Sequence, residues 1–397
     1  MITVHKRTAH RLLAGVAVGV TAAAVTIHAI PAHADVLFVP GTGGTKPHAA
    51  ADVDLSWLDG GRYGSQPAEC LCDSALYPAR LGPGEGDKSL AVGQESFVQY
   101  LLAHPEVDQV AGGSQGSMVV YRALSDPRLA GRRLSVRLYS NPDTPGTGVT
   151  ARFPREDIPT TGLTGGTPVQ PTDPNVDITS ISHEWDPVAY FPKYAWTYAF
   201  TLPAAVAGFL AYHGALGGPY GAMAIDYDGA TVTKDGNLTV IKLRDPFTPY
   251  GQLAVIAATM VAGPQAGHVV GTLIKPLDDI AAGVLKFGGQ DVPGAATFAP
   301  TPQVAAKQVQ GLVDSFGKAA KDFAAIPQRL AAGPVKSPKP TAVPAIKPTL
   351  VPVTATKPKP RKPSANPIHD TIKTVQGALK QFTPKPKAKQ QKSEGEK

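Results

Sequence analysis

The stretch from Asp108 to Ser117, DQVAGGSQGS, constrains this chain more than any other. Ahead of it, Glu106-Val107 and Val110-Ala111 suit a short buried strand, and behind it Met118 to Leu124 runs without a helix breaker. Between them, Gly112-Gly113-Ser114-Gln115-Gly116 fits the Gly-x-Ser-x-Gly pattern of a nucleophile elbow. A serine at the tip of a sharp strand-to-helix turn takes strained backbone angles, and the residues two places to either side crowd each other. Glycine at both places removes the crowding. Such a turn lifts the hydroxyl clear of a sheet and brings backbone N–H groups of the helix start near a developing oxyanion. An ordinary glycine turn would account for the pentapeptide alone, but the flanking strand and helix point to a catalytic serine.

The elbow implies more strands around it. Asp35 to Val39 is a compact apolar run ended by Pro40, and the loop Gly41-Thr42-Gly43-Gly44-Thr45 follows. A glycine-rich loop after a first buried strand can cradle phosphate or supply an oxyanion donor. No lysine-serine or lysine-threonine pair follows at P-loop spacing, which argues against nucleotide binding. Residues 46–86 read as a loop-rich insertion over the site. Lys88 to His104 has helical spacing, with Val92, Phe97 and Leu101 on one face, and Leu134 to Tyr139 alternates as a strand. The order strand, helix, strand, helix, strand predicts an α/β fold, a mainly parallel sheet with helices on both faces and the site at the carboxyl ends of the strands.

Farther along, residues 141–172 are rich in glycine, proline and threonine and read as a lid or rim loop. Ile178 to Ser182 reads as a strand and Leu202 to Tyr212 as a helix. Met223 to Tyr227 and Leu238 to Leu243 are predicted to pair around Asp235-Gly236. Gln252 to Ile280 reads as two helices broken at Gly263-Pro264, packed over the core or lining an acyl groove.

The ends of the chain differ from its middle. Lys6, Arg7 and Arg11 precede an apolar run from Leu12 to Ile30 and the small-x-small site Ala32-His33-Ala34, the pattern of a cleaved export signal over residues 1–34. The other reading, an uncleaved anchor, is disfavoured by the alanine and glycine content and by His28. Residues 35–299 would be the hydrolase-like domain and 300–333 an amphipathic helical extension. From Pro334 the sequence is a basic Pro/Lys-rich tail, read as largely disordered and polyproline-like, with 14 Lys/Arg against 3 Asp/Glu. The tail's +11 and the signal's +3 leave residues 35–333 at −7 within the overall +7. Within the tail, Val375-Gln376-Gly377 with Phe382 echoes Val309-Gln310-Gly311 with Phe316, either low-complexity drift or a pair of docking helices. Anionic cell-wall polymers or lipid head groups are the expected partners of the tail. Nucleic acid is not, for want of interleaved aromatics. The two cysteines, Cys70 and Cys72, lack the second pair a zinc site needs, and their spacing makes a mutual disulfide uncommon.

A serine nucleophile needs a base, and the base needs an orienting carboxylate. The histidines after Ser114 are His183, His213, His268 and His369. His369 lies in the tail, and His183 precedes the acid that the hydrolase order places before the base. His213, at a helix end before Gly214, and His268, beyond a Gly-Pro break, remain open. Among Asp143, Asp173, Asp177, Asp186 and Asp226, Asp186 has the semi-apolar setting of Trp185 and Pro187 that suits a buried orienting group.

Five features fall in a telling order: Val39 to Gly44, Gly112 to Gly116, Asn141-Pro142 with Arg152-Phe153, Trp185 to Pro192, and His213-Gly214. In this the chain resembles the PE-PPE domain family of mycobacteria and related actinobacteria, cutinase-like serine α/β-hydrolases, over roughly residues 35–295. The resemblance implies Ser114 as nucleophile, Asp186 as acid and His213 as base, and esterase or acyltransferase activity on acyl esters. It departs from the family where Tyr190 replaces a usual second aspartate and where no tyrosine closely follows His213. Gln115, Gly41 and Thr42 are the expected oxyanion donors. The expected protein is an exported, envelope-associated, monomeric serine esterase acting on lipid-type esters, with no cofactor and no metal. An acyltransferase acting on envelope glycolipids and a non-catalytic wall-associated protein are the alternatives.

Overall fold

The computed structural model describes residues 36–55, 58, 63, 68–166, 168, 170–213 and 227–333. The expected signal segment, Asp226, His369 and the tail lie outside the described residues. In chain order the elements are β1 (Val36–Val39), β2 (Ala68–Cys70), α1 (Gly86–Ala103), β3 (Gln109–Gly113), α2 (Gln115–Ala123), β4 (Leu134–Tyr139), α3 (Val149–Arg152), β5 (Asp157–Ile158) and β6 (Leu163–Thr164). They continue with β7 (Val176–His183), α4 (Tyr198–Tyr212), β8 (Thr231–Asp235), β9 (Leu238–Leu243), α5 (Pro249–Leu285), α6 (Pro302–Ala324) and α7 (Ile326–Ala332).

Seven strands form one sheet in the order β2-β1-β3-β4-β7-β9-β8, and β5 pairs with β6 apart from it. Every neighbouring pair in the large sheet is parallel except β8 with β9. The mainly parallel α/β sheet read from the sequence is the fold found. Successive side chains of a strand point to opposite faces. Accordingly Leu37 and Val39 join one cluster with Leu90, Phe97 and Leu101 of α1 and Met118 to Tyr121 of α2, while Val36 and Phe38 join a second. On that second face the sheet meets Leu55, Leu58 and Tyr63 of the β1–β2 connection. Chain order reverses at β1, with β2 on one side and β3 on the other. Ligands of open α/β sheets bind beyond the carboxyl ends of the strands at such a switch point.

Several expectations are corrected. The loop-rich insertion contains β2, an added parallel edge strand. Cys70 and Cys72 are joined in a disulfide, because the chain leaving β2 brings their Cα atoms to 5.0 Å, within the ordinary span. Val92 of α1 is exposed, and Leu90 and Val98 take the core positions beside Phe97 and Leu101. The hairpin partner of β9 is β8, turning at Gly236 with φ of 58°; most of Met223 to Tyr227 lies outside the described residues. The helix α5 breaks at Gly263, where φ is 83° and ψ 175°, giving the two helical limbs expected.

The stretch read as a lid or rim loop is anchored from within. Asp143 receives two hydrogen bonds from Arg122 of α2, at 2.7 and 2.9 Å, and a third from the hydroxyl of Thr150 at 2.7 Å. Arg152, 1% exposed, donates to the carbonyls of Phe191, Gly146, Val292, Gly294, Gly289 and Gln290. Burial pushes its pKa down to about 10. One guanidinium thus gathers three separate segments around its fork, which only arginine's planar set of five donors permits. We expect Arg152→Ala to cost about 3–5 kcal/mol in urea unfolding, and Arg152→Lys to recover less than half of that, because an ammonium has three donors for six carbonyls.

Candidate active site

The turn between β3 and α2 carries Ser114 with φ of 51° and ψ of −120°, a conformation that costs an L-residue energy and must be imposed by its surroundings. The Ser114 N–H donates to the Tyr139 carbonyl at 2.9 Å, and the Ser117 hydroxyl reaches the carbonyls of Gly112 at 2.7 Å and Tyr139 at 3.0 Å. The two flanking glycines have different reasons. A Cβ on Gly112 would come within 3.0 Å of Ser117 Cα and 3.1 Å of the Gly116 carbonyl, as the crowding argument requires. A Cβ on Gly116 would fall 2.1 Å from the Val39 carbonyl, so its constraint comes from the end of β1.

Three side chains converge there. Ser114 Oγ lies 2.8 Å from His213 Nε2, and His213 Nδ1 lies 3.0 and 3.2 Å from the two carboxylate oxygens of Asp186. A carboxylate only accepts, so Nδ1 carries the proton and Nε2 is left to accept from the serine hydroxyl. Ser114 follows β3, Asp186 lies in the turn after β7, and His213 caps the carboxyl end of α4. Asp186 is fully buried and His213 nearly so, while Ser114 is half-buried. Burial alone would raise the Asp186 pKa, but the charge and hydrogen bond of His213 outweigh it and hold the carboxyl below its usual range. The Val188 N–H adds a bond to Asp186 Oδ1 at 2.9 Å, and the ring of Phe209 stacks on the imidazole with centroids 4.7 Å apart.

The expected oxyanion residues lie beside this trio. Gln115 occupies the first position of α2, where a backbone N–H has no partner within the helix. Its side chain accepts from the Thr42 hydroxyl at 3.2 Å and donates to the Arg80 carbonyl at 3.0 Å, tying the loop after β1 to the helix start. The Gly43 N–H is committed to the Ala79 carbonyl at 2.8 Å and the Gly44 N–H to the Gly41 carbonyl at 2.9 Å.

The other sequence candidates are placed elsewhere. His268 reaches the Arg329 carbonyl of α7 at 3.1 Å. Asp143 is taken by Arg122 and Thr150, Asp173 bonds the N–H groups of Asn175 and Gly131 in an exposed loop, and Asp177 is exposed on β7. Sequence reasoning missed a second histidine–aspartate pair. His183 Nδ1, at the end of β7, donates to Asp245 Oδ1, whose other oxygen accepts the Trp185 N–H at 3.1 Å. The His183 ring also packs on Tyr212 with centroids 5.1 Å apart. The pair therefore touches the sequence neighbours of both Asp186 and His213; the only signal for it was the position of His183 three residues before Asp186. At the place of the family's second aspartate, Tyr190 is buried, with the Lys242 ammonium 5.9 Å from its ring centroid.

A mainly parallel sheet, with a serine on a strained strand-to-helix turn at the switch point, defines an α/β-hydrolase-like protein. Residues 72–246 match the family model of the PE-PPE domain, the family the sequence resembles. The matched span contains Ser114, Asp186 and His213. No curated protein matches the chain. Family and fold together are consistent with a lipase- or esterase-like hydrolase. Gly116→Ala should lower the unfolding free energy by about 2 kcal/mol or more, since backbone on both sides of the 2.1 Å approach must move. Gly43→Ala, at a φ of 74° with open space around it, should cost only about 1 kcal/mol from its backbone angle. Paired thermal melts separate the two.

Proposed function

We propose that the chain is an exported serine esterase that hydrolyses lipid-type acyl esters through a covalent acyl-enzyme. The observation that carries this reading is the unbroken relay from Ser114 Oγ through His213 to Asp186, with both links at hydrogen-bond distance. Ser114 Oγ attacks the ester carbonyl as its proton passes to His213 Nε2. The imidazolium so formed faces the Asp186 carboxylate, which holds its negative charge because its pKa lies below the ordinary value. The N–H of Gln115 and one from the Gly41–Thr42 stretch hold the oxyanion. The tetrahedral intermediate collapses, the C–O bond to the alcohol breaks, and His213 returns its proton to the leaving oxygen. Water then gives a proton to the same nitrogen and attacks the acyl carbonyl; the bond from that carbon to Ser114 Oγ breaks, His213 returns its proton to Oγ, and the carboxylic acid leaves.

The apolar setting of the base supports an acyl substrate. Phe209 covers His213, and Val206 and Leu202 continue the same exposed stripe of α4 back from it, at three- and four-residue steps that keep one helix face. Export rests on the charged, apolar and small-residue segments of residues 1–34.

A fluorophosphonate probe should label the parent protein and not Ser114→Ala; labelling of that variant at parental level would overturn the assignment. With a short-chain p-nitrophenyl ester, Asp186→Asn should lower kcat by roughly 10³–10⁴-fold with little change in KM, because the amide selects the wrong imidazole tautomer.

A further inference from the structure

The two limbs of α5 fold back on each other. A Cβ on Gly267 would meet Thr259 Oγ1 at 2.0 Å, and one on Gly271 would meet Val255 at 3.1 Å, so residues 8 and 16 positions apart are neighbours. Among the described residues α5 with the turn after it, Pro249–Gly288, is the one helical run long and apolar enough to cross a membrane, yet its reversal at Gly263 makes it a hairpin. The second limb then packs against α6 and α7 running the opposite way: Gly283 lies against Leu312 and Ser315, Asp279 bonds Lys318, and His268 bonds Arg329.

Each helix of this antiparallel pair has an exposed apolar row. On α5 it is Leu273, Leu277 and Val284; on α6 it is Val309, Val313, Phe316 and Phe323, with Leu277 71% and Phe323 69% exposed. Leu273, Leu277 and Val284 directly follow the buried Thr272, Pro276 and Gly283, and Val313 and Phe316 directly follow Leu312 and Ser315 of the contact row. One residue is about 100° of helix rotation. Both rows are therefore turned the same way from the line of contact, and between antiparallel helices that rotation opens both to one side. The result is a continuous apolar platform, larger than the scattered exposed residues of an ordinary surface.

Charge says what it meets. The helix α6 carries Lys307, Lys318 and Lys321 against Asp314 and Asp322, with Lys318 paired to Asp279, and the 29 residues from Pro246 to Ile274 contain no Asp, Glu, Lys or Arg. The sequence that follows Gly333 carries a net +11 and echoes a short part of α6: Lys307, Val309, Gln310, Gly311 and Phe316 recur at the same spacing as Lys373, Val375, Gln376, Gly377 and Phe382. An apolar face lying in the interface plus a polybasic segment is the two-part signal for stable binding to anionic lipid. We propose that the α5–α6 platform, followed in the sequence by this basic stretch, binds the surface of a membrane containing anionic lipids. This binding is independent of ester hydrolysis.

The test is made with the full chain carrying Ser114→Ala, so that no chemistry intervenes. The chain has two cysteines, bonded to each other, so a polarity-sensitive fluorophore can be placed at Val313→Cys or, as a control, at Val232→Cys on the exposed strand β8. Any hold exerted by the N-terminal apolar run is common to both chains. Phosphatidylcholine vesicles containing phosphatidylglycerol should shift the emission at 313 to the blue and leave 232 unchanged, and high salt should weaken the response. Adding Leu277→Asp and Phe316→Asp should lower vesicle affinity about tenfold or more. An emission at 313 that ignores these vesicles would overturn the proposal. So would sedimentation showing a lipid-free dimer that the two aspartates dissociate, which would assign the platform to a second copy of the chain.

Discussion

The close approach of α2 to the end of β1 governs the site. A parallel pair β1–β3 sets the Val39 carbonyl against the first turn of α2, and only a residue without a side chain fits at Gly116. With that turn so near, the chain leaving β3 has to reverse within one residue, and Ser114 takes up the bend at positive φ. A conformation of this kind costs about 1–3 kcal/mol. It is held by the Ser114 N–H on the Tyr139 carbonyl, by the doubly bonded Ser117 hydroxyl and by the buried apolar face of α2. The same geometry puts the first N–H of α2 and the Gln115 side chain beside the loop after β1.

The acid and base reach the serine from the other side of the switch point, and their support is layered. Tyr212 is pinned through its hydroxyl to the Phe247 carbonyl at 2.7 Å, which fixes the end of α4 just before His213. His183 and Asp245 hold the turn on which Trp185 and Asp186 sit. Beneath them, Asp143 and Arg152 lock the segment after β4 against α2 and residues 289–294. Charged groups at each layer are bonded at both ends, the condition under which buried charge is tolerated.

The elbow was legible because its rule is steric and local: glycine, serine and glycine at fixed steps between a strand and a helix. The parallel sheet was legible for the same kind of reason, since β3, β4 and β7 are short apolar runs in the right alternation. The strand β2 was hidden because three residues in a glycine- and proline-rich stretch carry no periodic signal. The strand β8 is exposed on both faces and shows no alternation, although the glycine of its turn was visible. From the residues alone, the choice between His213 and His268 stayed open because both follow apolar helical stretches; family resemblance favoured His213, and the difference is how α4 and the second limb of α5 pack. The six carbonyls around Arg152 and the His183–Asp245 pair join residues up to 142 positions apart, and no local pattern announces them.

The reach of Arg152 has a consequence for where this unit begins and ends. The family match runs from residue 72 to residue 246, yet four of the six carbonyls on that guanidinium come from residues 289–294, and the carbonyl that seats Gly116 belongs to residue 39. A fragment trimmed to the homologous span would therefore surrender an interior strand of the sheet and strand a cation in its core. Evolutionary bookkeeping and mechanical integrity draw different borders on this chain, and the second is the wider.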